Sequence, residues 1–333
     1  RSSPVQVPGT TWSKVTSARQ GRSVAVIKTD NTLWIWGDNR KGELAQNYTS
    51  PNRLSSPTQI PGTTWRDVSA GGNNNQNYGS IKTDGTLWAW GANDDAGTLG
   101  LNDKVNRSSP TQLPGTTWSQ TTSNNYSRFA IKTDGTLWAW GYNYYGSLGQ
   151  NQAGHPSKVS SPIQVGTDTT WAAVEGYHSS AVMATKTDGT LWAWGVGWDG
   201  KLAQNNETNY SSPIQVGNDT TWSTDTVKLA GGIDSAAAVK TDGTLWIWGE
   251  NTRGELGQNN VTSYSSPVQV GTDTTWKKVS WGYKNVYTTK TDGTLWSWGY
   301  NQNYGQLGHN NRTHYSSPVQ IPGTWSDCAG VGY

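Results

Sequence analysis

Apolar and polar residues alternate along this chain in short runs, and the runs recur. The most regular is Thr-Leu-Trp-Ala-Trp, as at Thr86–Trp90. Alternation sets Leu and Ala on one face and the two Trp on the other. Neither face is polar, so the run predicts a strand covered on both sides. Just upstream lies a second run, as in Arg128–Lys132 (RFAIK), and Thr-Asp-Gly-Thr separates the two. Asp-Gly between strand-like runs is a strong hairpin signal, because glycine supplies the positive φ of the turn. The exception, Asn31, is the residue type that best tolerates that region. A further run starts at a Thr-Trp pair (TWRDVSA, Thr64–Ala70), and another reads Ser-Pro-x-Gln-Val. Proline near a strand start and glutamine at its centre mark an outer edge. Small residues after the Thr-Trp run, as in Ala70-Gly71-Gly72 and Ala230-Gly231-Gly232, place that run innermost.

These four predicted strands form one unit. The decapeptide KTDGTLWAWG stands at Lys82, Lys132 and Lys186, with near-copies at Lys28, Lys240 and Lys290. The copies are 54, 50, 54, 54 and 50 residues apart. A period near fifty predicts a propeller, solenoid or array, here a single domain over residues 1–333. The succession TW-x-x-V, A-x-K-T-D-G-T-L-W-A-W-G, x-N-x-x-G-x-L-G and SSP-x-Q-V resembles the repeat of the regulator of chromosome condensation family, as in its bacterial and phage members. Gly37 with Asn39, Gly91 with Asn93, Gly141 with Asn143, Gly249 with Asn251 and Gly299 with Asn301 match its WGxN corner, and Gly197 departs from it. The resemblance implies an all-β, seven-bladed β-propeller of four-stranded antiparallel blades. Its members include nucleotide-exchange factors for small GTPases, β-lactamase inhibitors and many uncharacterised proteins.

Closure follows from counting. There are seven SSPxQ runs and seven Thr-Trp runs, but six hairpins. A seven-bladed ring would place Ser2–Val7 and Thr324–Val331 in one blade, closed by or shared between both chain ends. That blade would lack its middle strands, supplied by a chain continuing past Tyr333 or by a neighbour. Arg1 in place of an initiating Met reads as a processed or partial chain.

Composition sharpens the picture. A mean hydropathy of −0.72 points towards disorder, but 21 Trp and 15 Tyr point to a folded, aromatic core. The formal net charge of +2, with no run of like charges, offers no footprint for nucleic acid or an anionic membrane. No apolar run reaches the length that spans a bilayer, and no signal peptide is visible. The single Cys328 excludes an internal disulfide framework and reads as a small buried residue. No cofactor is implied, and His155, His178, His309 and His314 have no metal-ligand spacing. No catalytic motif is present, so the chain reads as a non-enzyme.

The six repeated Lys read as strand ends, each neutralised by the Asp two residues on, rather than as a ring for a phosphate polymer. Nineteen of the 21 Trp belong to the LWxW and Thr-Trp positions and read as core. Trp198 and Trp281 break the repeat and read as contact residues. The sequence varies on one rim of the propeller, where the turn after the first strand meets the long connection after the third. Tyr78, Tyr126, Tyr144 and Tyr145 lie in these segments, as do Tyr177, His178 and Tyr283. With Trp198 and Trp281 they form the candidate binding set, because Tyr and Trp give rigid contact area. The expected function is a non-catalytic extracellular or virion-type structural or interaction protein, binding protein or glycan through this rim. Self-association into a particle or filament is included, and nucleic acid and membrane insertion are not. The alternative is a regulatory propeller, an exchange factor or enzyme inhibitor, acting by protein–protein contact.

Overall fold

The computed structural model describes residues 4–18, 22–71, 76–93, 96–152, 158–177, 179–302 and 305–330. Six four-stranded antiparallel sheets follow one another, each with its strands in chain order. Blade 1 comprises Trp12–Ser17, Ser23–Lys28, Leu33–Asp38 and Arg53–Ile60. Blade 3 comprises Trp118–Ser123, Ser127–Lys132, Leu137–Tyr142 and Lys158–Gln164. In its register Ala130 faces Trp138 on one side and Thr121 on the other. Blade 5 is the irregular one: Trp222 makes only an isolated bridge to Lys240, and the inner strand shrinks to Leu229–Gly231. The inner strands stand around a polar axial channel of about 190 Å³, lined by Lys14, Asp67, Gln120, Glu175 and Lys278 among others.

Every letter of the repeated decapeptide has a place in this scaffold. In blade 3, Asp134 accepts hydrogen bonds from the N–H and hydroxyl of Thr136, and Thr136 Oγ1 accepts one from Trp138 Nε1 at 2.8 Å. The same relay recurs in the other five blades. Gly85, at φ +79°, closes the turn of blade 2 where a Cβ would lie 2.2 Å from the Thr116 carbonyl oxygen, which explains the glycine. The lysine is not neutralised by the Asp two residues on, as the sequence suggested. Its ammonium lies 3.9–4.1 Å from the ring centroid of the first LWxW Trp and 4.4–4.9 Å from that of the Thr-Trp residue. Lys186, Lys240 and Lys290 also pair with Asp168, Asp219 and Asp273 of the preceding turn. The neighbouring Asp is occupied by its threonine.

The second LWxW Trp joins the blades. Trp90, Trp140, Trp194, Trp248 and Trp298 are fully buried. Each donates its indole N–H, at 2.8–2.9 Å, to a turn carbonyl of the preceding blade: those of Glu43, Thr98, Ser147, Lys201 and Glu255. Four of those turns are held in turn by the corner Asn, and the Lys201 turn has Gly197 at that position. Asn39, Asn93, Asn143, Asn251 and Asn301 are buried and accept from the N–H of a leucine five or six residues on.

The expectation of seven blades is corrected here: six sheets are present among the described residues. A blade needs the LWxW hairpin as its two middle strands, and there are six. Residues 4–11 carry the outer-strand motif but form no strand, and Ser2 and Ser3 lie outside the described residues. Trp325–Gly330 likewise forms no strand. It lies between blades 6 and 1, tied by Lys278–Asp327, by the Gly330 N–H to Ser280 Oγ at 2.7 Å, and by Ser17 Oγ to the Gly330 carbonyl at 3.3 Å. Trp36 in blade 1, with no sheet before it, is only half-buried. The Gln306 carbonyl in blade 6 accepts instead from the Tyr287 hydroxyl at 2.7 Å. Cys328 is buried and free, as expected.

Trp140→Ala is expected to cost about 3–5 kcal/mol, since it empties a core site and strands the Thr98 carbonyl. Thr136→Val, which keeps the shape and breaks the Asp–Thr–Trp relay, is expected to cost about 1 kcal/mol. Urea melts of both variants against the parent chain check the order.

Candidate functional site: the variable rim

Two loops of each blade meet on one rim because the backbone ties them together. The residue after the third strand donates its N–H to the turn between the first and second strands. This pairs Asp38 with Arg22, Ala92 with Gln76, Tyr142 with Tyr126, Val196 with Ser180, Glu250 with Asp234 and Tyr300 with Lys284, at 2.8–3.2 Å. The repeated TDGT turns close the opposite ends of the same strands.

The structure divides the candidate residues. Trp198 and Tyr145, on neighbouring blades, are 50% and 42% exposed, and their rings meet edge-on with centroids 5.0 Å apart. Tyr126 and Tyr144 are half-buried and cluster with Tyr142 at 4.8–6.0 Å. Tyr283 is half-buried against Tyr300. His178 lies outside the described residues.

Three candidates are core instead. Trp281 is 3% exposed and packs where Gly232 of blade 5 leaves room, since a Cβ there would lie 2.9 Å from its ring. Tyr177 is fully buried against Gly231 and donates to the Lys201 carbonyl at 3.0 Å. Tyr78 is fully buried, stacked on Trp90, with its hydroxyl 2.7 Å from Ser23 Oγ. Trp281 and Tyr177 break the repeat, but a glycine of the neighbouring blade gives each a structural place.

Sequence reading missed an ionic cluster beside the aromatic pair. Lys201 stands where Glu43 and Glu255 stand in their own repeats. It is fully buried and pairs with Asp234 on the next blade. Lys284 of blade 6 reaches back to Glu250 of blade 5, with both carboxylate oxygens within 2.9 Å. Burial opposes the Lys284 charge, but Glu250 outweighs it and raises the pKa. Glu255 is 1% exposed; its Oε2 accepts from the Arg253 N–H, and its Oε1 has no partner among the described residues. Burial pushes this carboxyl up to about 7. Asp199, next to Trp198, is also raised, first by partial burial and then by Asp234. These charges are scattered over four loops, and the one available signal was Lys201 at a position where other repeats carry Glu.

No group of three or more His, Cys, Asp and Glu that could hold a metal occurs among the described residues. His309 hydrogen-bonds Ser297 Oγ, and His314 accepts the Asn301 N–H through Nδ1, so both have structural work. No helix is long and apolar enough to cross a membrane among the described residues.

Fold and rim together define a β-propeller whose irregular loops share one rim. The regulator of chromosome condensation (RCC1) repeat matches over residues 84–122, 134–182, 242–287 and 292–329, and the chain belongs to this family. It is 27% identical to the ultraviolet-B receptor UVR8 of Arabidopsis thaliana over 318 residues, 92% of this chain and 69% of that protein. It is 28% identical to the probable E3 ubiquitin-protein ligase HERC4 of Mus musculus over 206 residues, 58% of this chain, and so spans 18% of that protein's length. Among solved structures, Prp20p of Saccharomyces cerevisiae, described with its binding to Gsp1p and histones, superposes with a TM-score of 0.80 at 17% identity, over 96% of this chain and 80% of that one. Human WBSCR16 superposes with a TM-score of 0.81 at 18% identity, over 99% and 87%. These structural likenesses show the fold.

Trp281→Ala is expected to lose about 3–5 kcal/mol, and the exposed Trp198→Ala under about 0.5 kcal/mol, in parallel denaturant melts. Glu255 makes stability depend on pH. Its folded pKa lies above the unfolded value of 4.5, so its favourable contribution is full below about 4.5 and lost as pH rises through about 7. That loss amounts to roughly 3 kcal/mol at about 1.4 kcal/mol per pH unit. Glu255→Gln should flatten stability against pH over this window, measured as urea midpoints at each pH.

Proposed function

We propose that this chain is a regulatory propeller that acts by binding another protein through its variable rim, without catalysis of its own. The observation that carries this reading is the Tyr145–Trp198 pair: two large aromatic side chains left exposed, edge to face, in a protein where every other Trp is buried or half-buried. Exposed aromatics over a firm scaffold are the usual energetic centre of a protein contact. A relative in fold supports the same reading, since Prp20p is described with its binding to Gsp1p and histones and also in a structure with Kap60. The ligase activity named for HERC4 belongs to a protein of which this chain matches under a fifth. The reading from sequence as a virion or extracellular structural component, binding protein or glycan, has less behind it than regulatory contact.

The test is affinity purification from the native cell with quantitative mass spectrometry, using the parent chain, a Tyr145→Ala/Trp198→Ala double variant and Lys132→Glu on the opposite rim. The expected result is a partner kept by the parent and by Lys132→Glu but lost by the double variant. A double variant that folds and keeps every partner overturns the proposal.

A further inference from the structure

We propose that the rim from blade 3 to blade 5 recognises a cationic side chain, an arginine or lysine presented by the partner protein, seated against Trp198 and Tyr145 and facing Asp199. This rests on the reading that the rim binds protein, and it names the chemistry of that partner. The first observation is the exposed aromatic pair. A cation within about 6 Å of an indole or phenol face is attracted by the ring quadrupole, more strongly as water is excluded. The chain uses this contact six times internally, where each repeated Lys lies over two Trp rings. Trp198 and Tyr145 form the exposed pair that carries no cation among the described residues.

The second observation is charge balance. Asp199, Glu207, Asp234, Glu250 and Glu255 act on this part of the rim. Its cations are already committed: Lys201 to Asp234, Lys284 to Glu250, and Arg253 over the Tyr300 ring at 5.9 Å. Asp199 and Glu207 have no ion pair among the described residues. Glu255, buried to 1% exposure, has a carboxylate oxygen with no donor and feels the charges of both Lys284 and Glu250. The raised pKa of Asp199 has the same origin, burial and then the neighbouring carboxylates. An incoming guanidinium or ammonium meets π-faces and uncompensated carboxylate together. An acidic segment would meet the same carboxylates, with no uncommitted cation among the described residues of this cluster to receive it.

The proposal can be tested with short peptides on the intact chain. The probes are a Gly-Ser-Arg repeat peptide, its Gly-Ser-Lys and Gly-Ser-Glu counterparts, and a neutral gluco-oligosaccharide, titrated while following tryptophan fluorescence and heat. The Arg and Lys peptides should bind, more weakly as salt rises. Trp198→Ala and Asp199→Asn should each weaken that binding about tenfold or more, and Lys132→Glu should leave it unchanged. Binding of the Arg peptide that is indifferent to Asp199→Asn overturns the proposal, as does preference for the Glu peptide or for the oligosaccharide. If no peptide binds while the double aromatic variant still loses its cellular partner, cation recognition fails and rim binding stands. If the folded double variant keeps its partner, the rim reading itself fails.

Discussion

A buried indole N–H left unpaired costs about 1–3 kcal/mol, because water cannot reach it. For the second LWxW Trp of this propeller the acceptor lies on the previous blade. Five fully buried Trp donate across the blade junctions to turn carbonyls. The turn that offers the carbonyl therefore has to be fixed, and at four of the five junctions the corner Asn fixes it through a leucine N–H. One hydrogen bond thus couples the composition of the third strand, the shape of the long loop and the pitch of the ring. The same turns carry the rim residues, so the proposed contact surface hangs from the element that holds neighbouring blades together.

The strands, the hairpins and the inner and outer positions were legible because they rest on local signals: alternation, Asp-Gly, and proline at an edge. The number of blades was not. The SSPVQ run near the start matches the six outer strands letter for letter in kind, but an outer strand exists only when an LWxW strand pairs with it. The lysine role was half legible. Its neighbour Asp was the obvious counter-charge by distance along the chain, yet Thr136 and its equivalents take that carboxylate first.

The rim was legible as a place and only partly as a set of residues. Trp198 and Tyr145 are the most exposed aromatics of the candidate set among the described residues. Trp281 and Tyr177 belong to the same set and are buried, since whether an odd aromatic side chain finds a cavity depends on a residue about fifty positions away. The ionic cluster was invisible for the same reason: Lys201–Asp234 and Glu250–Lys284 join loops of different blades.

The irregular pairs in the core carry a consequence for assembly of the ring. Six near-identical blades could in principle stack in many orders, as identical beads on a string can close against the wrong neighbour. Trp281 fits beside Gly232, and Tyr177 beside Gly231; a Cβ at either glycine would collide with the ring it faces. A junction with this mismatch accepts a neighbour that carries the glycine and rejects the copies that lack it. Departures from the repeat thus act as addresses that narrow which blades can pack side by side.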